Sequence, residues 1–361
     1  MTPPVEPPPT PPEPIPAAPP RAYGTASDLT ALALLDSQID PGVFGDDSLY
    51  TLDELADKTG WSRDELDQLW LWAGLPFVDR TQEMFKDDDV AGLTRLREFR
   101  NREGFDDAAL ASIIRAIGTS IERLAVWQVE ALTKHLADSR GLGDTASRLE
   151  AAAFAPAQTP ILRFLVEKLW LRHYAAAIHR LTTENILRRG VSDDDQQFPH
   201  TCGVGFAWLV DYVAHTRDFG LGEWSEFVQD FHNRVADIVN SSGGRIINNT
   251  GDFVLYVSAR PDTGAEIALR ISEMRDEGFT ADVRGAIVWS RVLSTFGDIY
   301  GPGVNLSLLL SQEAAPNTVL TDPETAAMLS RGPFELTPLP ERELGGLGPV
   351  APVQIARKSS G

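Results

Sequence analysis

The sequence has a single cysteine, Cys202, in 361 residues. An internal disulfide is therefore excluded, which fits a reducing compartment, and one thiol beside a predicted strand reads as a small buried residue rather than a nucleophile. Long apolar runs are also missing. No stretch of about 18 such residues occurs, so no helical membrane span is expected. No basic segment followed by an apolar core opens the chain, so no signal peptide is expected and the predicted location is cytoplasmic. Positive charge is scarce, with 32 Lys and Arg against 52 Asp and Glu and a net charge of −20. So acidic a chain is repelled by phosphate backbones and anionic bilayers, which argues against a general nucleic-acid or membrane-surface binder.

Proline is concentrated at the start, with eleven between residues 1 and 24. Such a stretch forms neither helix nor core, so residues 1–26 read as an extended, disordered tail. A helical region follows over residues 27–155, opening on Leu29, Leu32, Leu34 and Leu35. Thr51 with Glu54, and Ser62 with Glu65, each have capping-box spacing, and Gly60 suits the turn between them. This is a helix-turn-helix pattern, and with Asp87-Asp88-Asp89-Val90 and Gly104-Phe105 it looks like the start of a MerR-type domain. Six acidic residues (Asp53, Glu54, Asp57, Asp64, Glu65 and Asp67) outnumber Lys58 and Arg63 here, so DNA is not the expected partner and a protein–protein regulatory role is preferred. Trp61, Trp70 and Trp72 read as core or interface anchors, with core the default.

Residues 107–150 continue helical, with Leu110, Ile113, Ile114, Ile117, Ile121 and Leu124 at helical spacing. Pro156 and Pro160 predict a short Ala-rich loop. A further helix is expected from near Ile161 to about Arg189, within a linker or transmitter segment 156–195 that ends in Gly190 and the acidic Asp193-Asp194-Asp195 loop. Its position suits a rigid transmitter and a dimer contact. His173 and His179 lie on it and read first as ordinary solvated or packed histidines.

The last region, 196–358, is organised around Gly243-Gly244-Arg245-Ile246-Ile247-Asn248-Asn249-Thr250-Gly251-Asp252-Phe253-Val254-Leu255-Tyr256-Val257. It predicts two apolar strands around a turn formed by Asn248, Asn249, Thr250 and Gly251, with Asp252 where the chain enters the second strand. A carboxylate held there suits a divalent cation. Before it, Gly203–Tyr212 reads as a strand running into a helix. After it come Val283–Val288, then Phe296-Gly297-Asp298-Ile299-Tyr300-Gly301-Pro302-Gly303-Val304-Asn305, then Leu344–Gly348 before a last strand from Pro352 to Ala356. In this order, the motifs resemble the catalytic domain of class III nucleotide cyclases over residues 200–358.

That resemblance implies an α+β fold: an all-helical N-terminal domain, then a domain with a mixed, largely antiparallel sheet flanked by helices. The layout is similar to soluble cyclases whose helical N-terminal domain is autoinhibitory and senses pH. It also implies ATP or another nucleotide as ligand, Mg²⁺ or Mn²⁺ as cofactor wherever activity or nucleotide binding is retained, and a homodimer or a heterodimer with another cyclase. By resemblance, Asp252 matches the second metal aspartate, Asp298 the adenine-reading aspartate and Asn305 the ribose-orienting asparagine. Three positions depart from the pattern. Trp208 stands where the first metal aspartate belongs, Asn248 where the adenine-reading lysine belongs, and Leu309 where the transition-state arginine belongs. Phe253 replaces a further acidic residue. Asp211 is the candidate substitute at the metal, and Arg245, Arg284 or Arg291 at the phosphates. The expected function is an impaired or inactive cyclase homologue acting in cyclic-nucleotide signalling. The alternatives are a weak, regulated adenylate cyclase and a helix-turn-helix transcription regulator.

Overall fold

In the computed structural model, residues 43, 49–75, 83–187, 200–217, 219–295 and 297–358 are described. The proline-rich 1–26 segment, Leu29, Leu32, Leu34, Leu35, Gly190, Asp193–Asp195 and Phe296 lie outside them. The chain divides into two units, Met1–Ala176 and Ala177–Gly361.

The first unit begins with two short helices, α1 (Leu52–Thr59) and α2 (Arg63–Trp72). Both predicted capping boxes form. The Thr51 backbone N–H donates to the Glu54 carboxylate at 2.9 Å, and the Glu54 N–H donates back to the Thr51 hydroxyl at 3.3 Å. Ser62 and Glu65 repeat the exchange at 2.9 and 3.2 Å. Those backbone donors hold both glutamate carboxyls below their ordinary range. Gly60 ends α1 in the left-handed region, φ 72°. The core joins Leu52, Leu55, Trp61, Leu66, Leu69 and Phe85 to Leu110, with Trp70 and Trp72 packed half-buried on it. Trp61 Nε1 donates to the Leu93 carbonyl of α3 (Asp87–Glu103) at 2.9 Å. The three tryptophans are therefore core residues.

Two long helices follow, α4 (Asp107–Arg140) and α5 (Asp144–Leu187). On α4, Ile113, Ile117 and Ile121 are exposed, and on α5 so are Ile161, Leu169 and Trp170. His173 and His179 are exposed on α5 too. The loop expected at Pro156 and Pro160 does not exist, because both prolines lie inside α5, which starts at Asp144 rather than near Ile161. Each proline removes one helix hydrogen bond. Being four residues apart, they stack the missing donors on one face, and the alanines of residues 151–157 sustain the remaining rungs. Thr159 Oγ1 also donates to the Ala155 carbonyl at 2.9 Å.

The second unit is a sheet with the order β2-β3-β1-β4-β6-β10-β7, and β5 paired onto β4. Its strands are β1 (His200–Leu209), β2 (Arg245–Thr250), β3 (Phe253–Ser258), β4 (Val283–Thr295), β5 (Asp298–Tyr300), β6 (Val319–Thr321), β7 (Phe334–Pro338) and β10 (Val353–Arg357). The short pair β8 (Arg342–Leu344) and β9 (Gly348–Val350) lies apart. All pairings are antiparallel except β4 with β6. The helices are α6 (Tyr212–Thr216), α7 (Leu221–Ser241), α8 (Pro261–Ser272), α9 (Pro302–Glu313) and α10 (Pro323–Leu329).

Strand periodicity sorts the side chains to two faces. One packs Ala207, Leu209, Val254, Tyr256 and Ile287 against Phe231, Val235, Ile267 and Ile271 of α7 and α8. The other carries Val204, Phe206, Leu255 and Val257 toward Val304 and Leu308 of α9. The Ser307 hydroxyl of α9 donates to the Val204 carbonyl at 2.8 Å. Cys202 lies within β1 rather than beside it and is half-buried.

Candidate active site

The hairpin at the centre of the sequence is tighter than its composition suggests. Asn248, Asn249 and Thr250 belong to β2, and only Gly251 and Asp252 turn. Thr250 pairs with Phe253 across that two-residue connection, and a bulge between Ile246 and Asn248 sets the register. Polar residues suggested a longer turn. However, ladder hydrogen bonds along β3 tolerate them at the sheet edge, and Gly251 alone supplies the positive φ, 58°. Asp252 is thereby fixed at the end of the sheet, and its carbonyl accepts from Leu209 N–H at 2.8 Å.

Trp208 stands beside it at the end of β1. It pairs with Phe253 of β3 on one side and with Arg284 of β4 on the other. Paired residues share a face, and here the Trp208 and Phe253 rings stack at 4.9 Å and 28°. Arg284 donates from Nη1 to the Gln312 carbonyl near the end of α9 at 2.7 Å. Trp208 Nε1 and Arg284 Nε are both buried without a hydrogen-bond partner.

Asn248 and Asp298 come from neighbouring strands, since β2 approaches β5. The Asn248 side-chain oxygen accepts the Thr250 hydroxyl at 2.9 Å. Asp298 accepts the Ile299 N–H at 2.8 Å. Asn305 is exposed on α9 and lines an open groove with Tyr300, Pro302, Val304 and Leu347. Leu309, one turn on, packs half-buried on the cluster of Ala286, Val288, Leu310 and Leu320. One apolar cluster contains Trp208, Phe253, Ile247, Ile299 and Val304. It thereby gathers the chain neighbours of Asn248, Asp252, Asp298 and Asn305.

The donor set does not fit the pair of divalent cations that the resemblance implies. Among the described residues, no group of three or more His, Cys, Asp or Glu could hold a metal. Trp208 puts a stacked ring where the resemblance implies an oxygen ligand, and an indole offers a cation no oxygen. Asp211 is exposed at the start of α6, takes φ 50° and makes no cap hydrogen bond.

Sequence reading missed two neighbours of the hairpin. Tyr212 is held above its ordinary range by burial and then by the Asp252 charge. His232 of α7 is half-buried with Nε2 unpaired. Desolvation lowers its pKa, against a smaller opposite effect from its hydrogen bond to the Gly251 backbone. Helical spacing marks position 232 only as one near the buried stripe. A depressed folded-state pKa means that unfolded chains take up the proton first. Stability is therefore full above the ordinary imidazole value of about 6.5 and falls as the pH drops below it. Melting curves between pH 7.5 and 5 are expected to show that loss in the native chain and a smaller one in His232→Gln. Equal losses in both would exclude His232 as the cause.

No protein-family model matches the chain. It is 32% identical over 312 residues to the adenylate cyclase of Glutamicibacter nicotianae, covering 84% of this chain and 77% of that protein. It is 27% identical over 347 residues to the adenylate cyclase of Streptomyces coelicolor, covering 88% and 89%. Among solved structures, the catalytic core of a rhodopsin-guanylyl cyclase with converted specificity overlays with a TM-score of 0.41 at 17% identity, covering 44% of this chain and 97% of that chain.

Proposed function

Because this chain belongs to the class III adenylate cyclase family, we propose that it is an impaired member that binds nucleotide and dimerises in cyclic-nucleotide signalling without appreciable turnover. The observation that carries this reading is the Trp208–Phe253 stack at the position of a metal carboxylate. Two-metal catalysis requires acceptor oxygens to activate the attacking hydroxyl and to neutralise the phosphates. An indole provides neither. Leu309 adds a second, independent defect, since an alkyl side chain packed on a core cluster cannot meet charge at a phosphate. Removing one charge-stabilising group costs about 10²–10³ in rate, and these losses fall on different steps. A homodimer carries both defects in every site. Asp298 and Asn305 remain to hold a nucleotide's base edge and sugar. The N-terminal helical unit is the regulatory part of this reading.

The test is cyclic AMP formation from ATP by the full chain with Mn²⁺ or Mg²⁺, run beside nucleotide-dependent melting. The expected result is stabilisation by nucleotide with no cyclic AMP above that of Asp252→Ala. Turnover that disappears in Asp252→Ala would make the chain a weak enzyme instead.

A further inference from the structure

We propose that Trp208 and Arg284 form an oxyanion site that takes phosphoryl oxygens of a nucleotide directly, without a divalent cation. Three observations carry it. The two residues face each other across β1 and β4, so their side chains leave the same face of the sheet with Cβ atoms about 4.5–5.5 Å apart. Each has one buried N–H without an acceptor, the indole Nε1 and the guanidinium Nε. Arg284 is half-buried, and among the described residues no carboxylate pairs with it; its one hydrogen bond goes to the Gln312 carbonyl.

Buried donors are ordinarily satisfied, and a half-buried guanidinium ordinarily has a counter-charge. Two donors on facing residues, one carrying full positive charge, call for a single ligand with several acceptor oxygens and negative charge. A phosphoryl group has both properties. A carboxylate side chain at 208 would attract a cation that in turn holds phosphate; this chain replaces that relay with its own cation and an N–H. The Gln312 bond fixes one arm of the fork, and the Phe253 stack fixes the indole plane. Asp252 sits on the adjoining turn and opposes an anion here, so its charge limits the affinity.

The inference rests on the nucleotide-binding reading, and the two can fail separately. The full chain is titrated by calorimetry with ATP, and separately with inorganic tripolyphosphate, in EDTA and in Mg²⁺. The site predicts ATP binding that persists in EDTA and is displaced by tripolyphosphate. Trp208→Phe keeps the ring and removes the N–H; it and Arg284→Met should each weaken binding at least about tenfold. Asp252→Asn should strengthen binding, whereas a cation-bridged nucleotide would be weakened by the same change. Tripolyphosphate binding with no ATP binding would support the oxyanion site and end the nucleotide reading. ATP binding that needs Mg²⁺, or that ignores both substitutions, would overturn the site and leave nucleotide binding standing. No binding of either ligand overturns both. If Arg284→Met fails to fold, Arg284→Lys replaces it, because it keeps the charge and loses the Nε–H.

Discussion

Cyclic AMP formation in the triple variant Trp208→Asp, Asn248→Lys, Leu309→Arg is expected to exceed that of the native chain by at least about 10³. Each substitution restores a different requirement of the family's chemistry. Asp at 208 returns an acceptor to the end of β1, beside the turn that already fixes Asp252. Lys at 248 returns a cation to β2, the strand that approaches β5 and Asp298. Arg at 309 replaces an alkyl group on the helix that carries Asn305. Groups that act as a unit are not additive, so the single variants should each recover little. The Trp208 change also removes the stack on Phe253 and costs about 2 kcal/mol, roughly half the loss for a fully buried aromatic because this ring is half-buried. Activity should therefore be assayed well below the melting temperature. In the triple background, Asp252→Ala should return the rate to baseline. A triple variant that folds, dimerises and stays silent would show that the site departs from the family in more than these three positions.

The largest single effect on stability is expected at Gly205 of β1. It pairs with Tyr256 of β3, and a Cβ there would stand 2.1 Å from the tyrosine ring and 2.4 Å from its hydroxyl. Tyr256 cannot give way. It is fully buried between the sheet and α8, and its hydroxyl donates to the Gly264 carbonyl at 3.3 Å. Burial also pushes its phenol far above the ordinary range, so it stays a neutral donor at any physiological pH. Gly205→Ala should cost about 3 kcal/mol, the upper end for overpacking, because the obstruction is a ring rather than a flexible tail. Thermal melting would read this as a drop of roughly 6–12 °C for a unit of this size. A drop under about 2 °C would mean that β1 and β3 separate more easily than this packing implies.

Much of the molecule was legible in the chain. The capping boxes at Thr51 and Ser62 were readable because their partners are three residues away, and local geometry fixes them without help from the rest of the fold. The two strands around Asp252 were readable for a similar reason: each is a short apolar run beside a turn glycine. Acidity alone turned the N-terminal helices away from DNA as the expected partner. Two other features fold differently from their local reading. Pro156 and Pro160 read as a break because proline's cost is local, yet the rungs around them held the helix through. Asn248, Asn249 and Thr250 read as a turn because they are polar, yet pairing with β3 drew them into a strand.

By itself, the sequence determined that Trp, Asn and Leu stand at 208, 248 and 309, where the family resemblance implies Asp, Lys and Arg, since residue identity does not depend on the fold. Tertiary structure decided what stands there instead. Trp208 meets Phe253 and Arg284 through strand register, a property of hydrogen bonds between segments far apart in the chain, which no local pattern encodes. That register set the Trp208 ring against Phe253 on one side and Arg284 on the other, leaving the indole Nε1 and the guanidinium Nε unpaired.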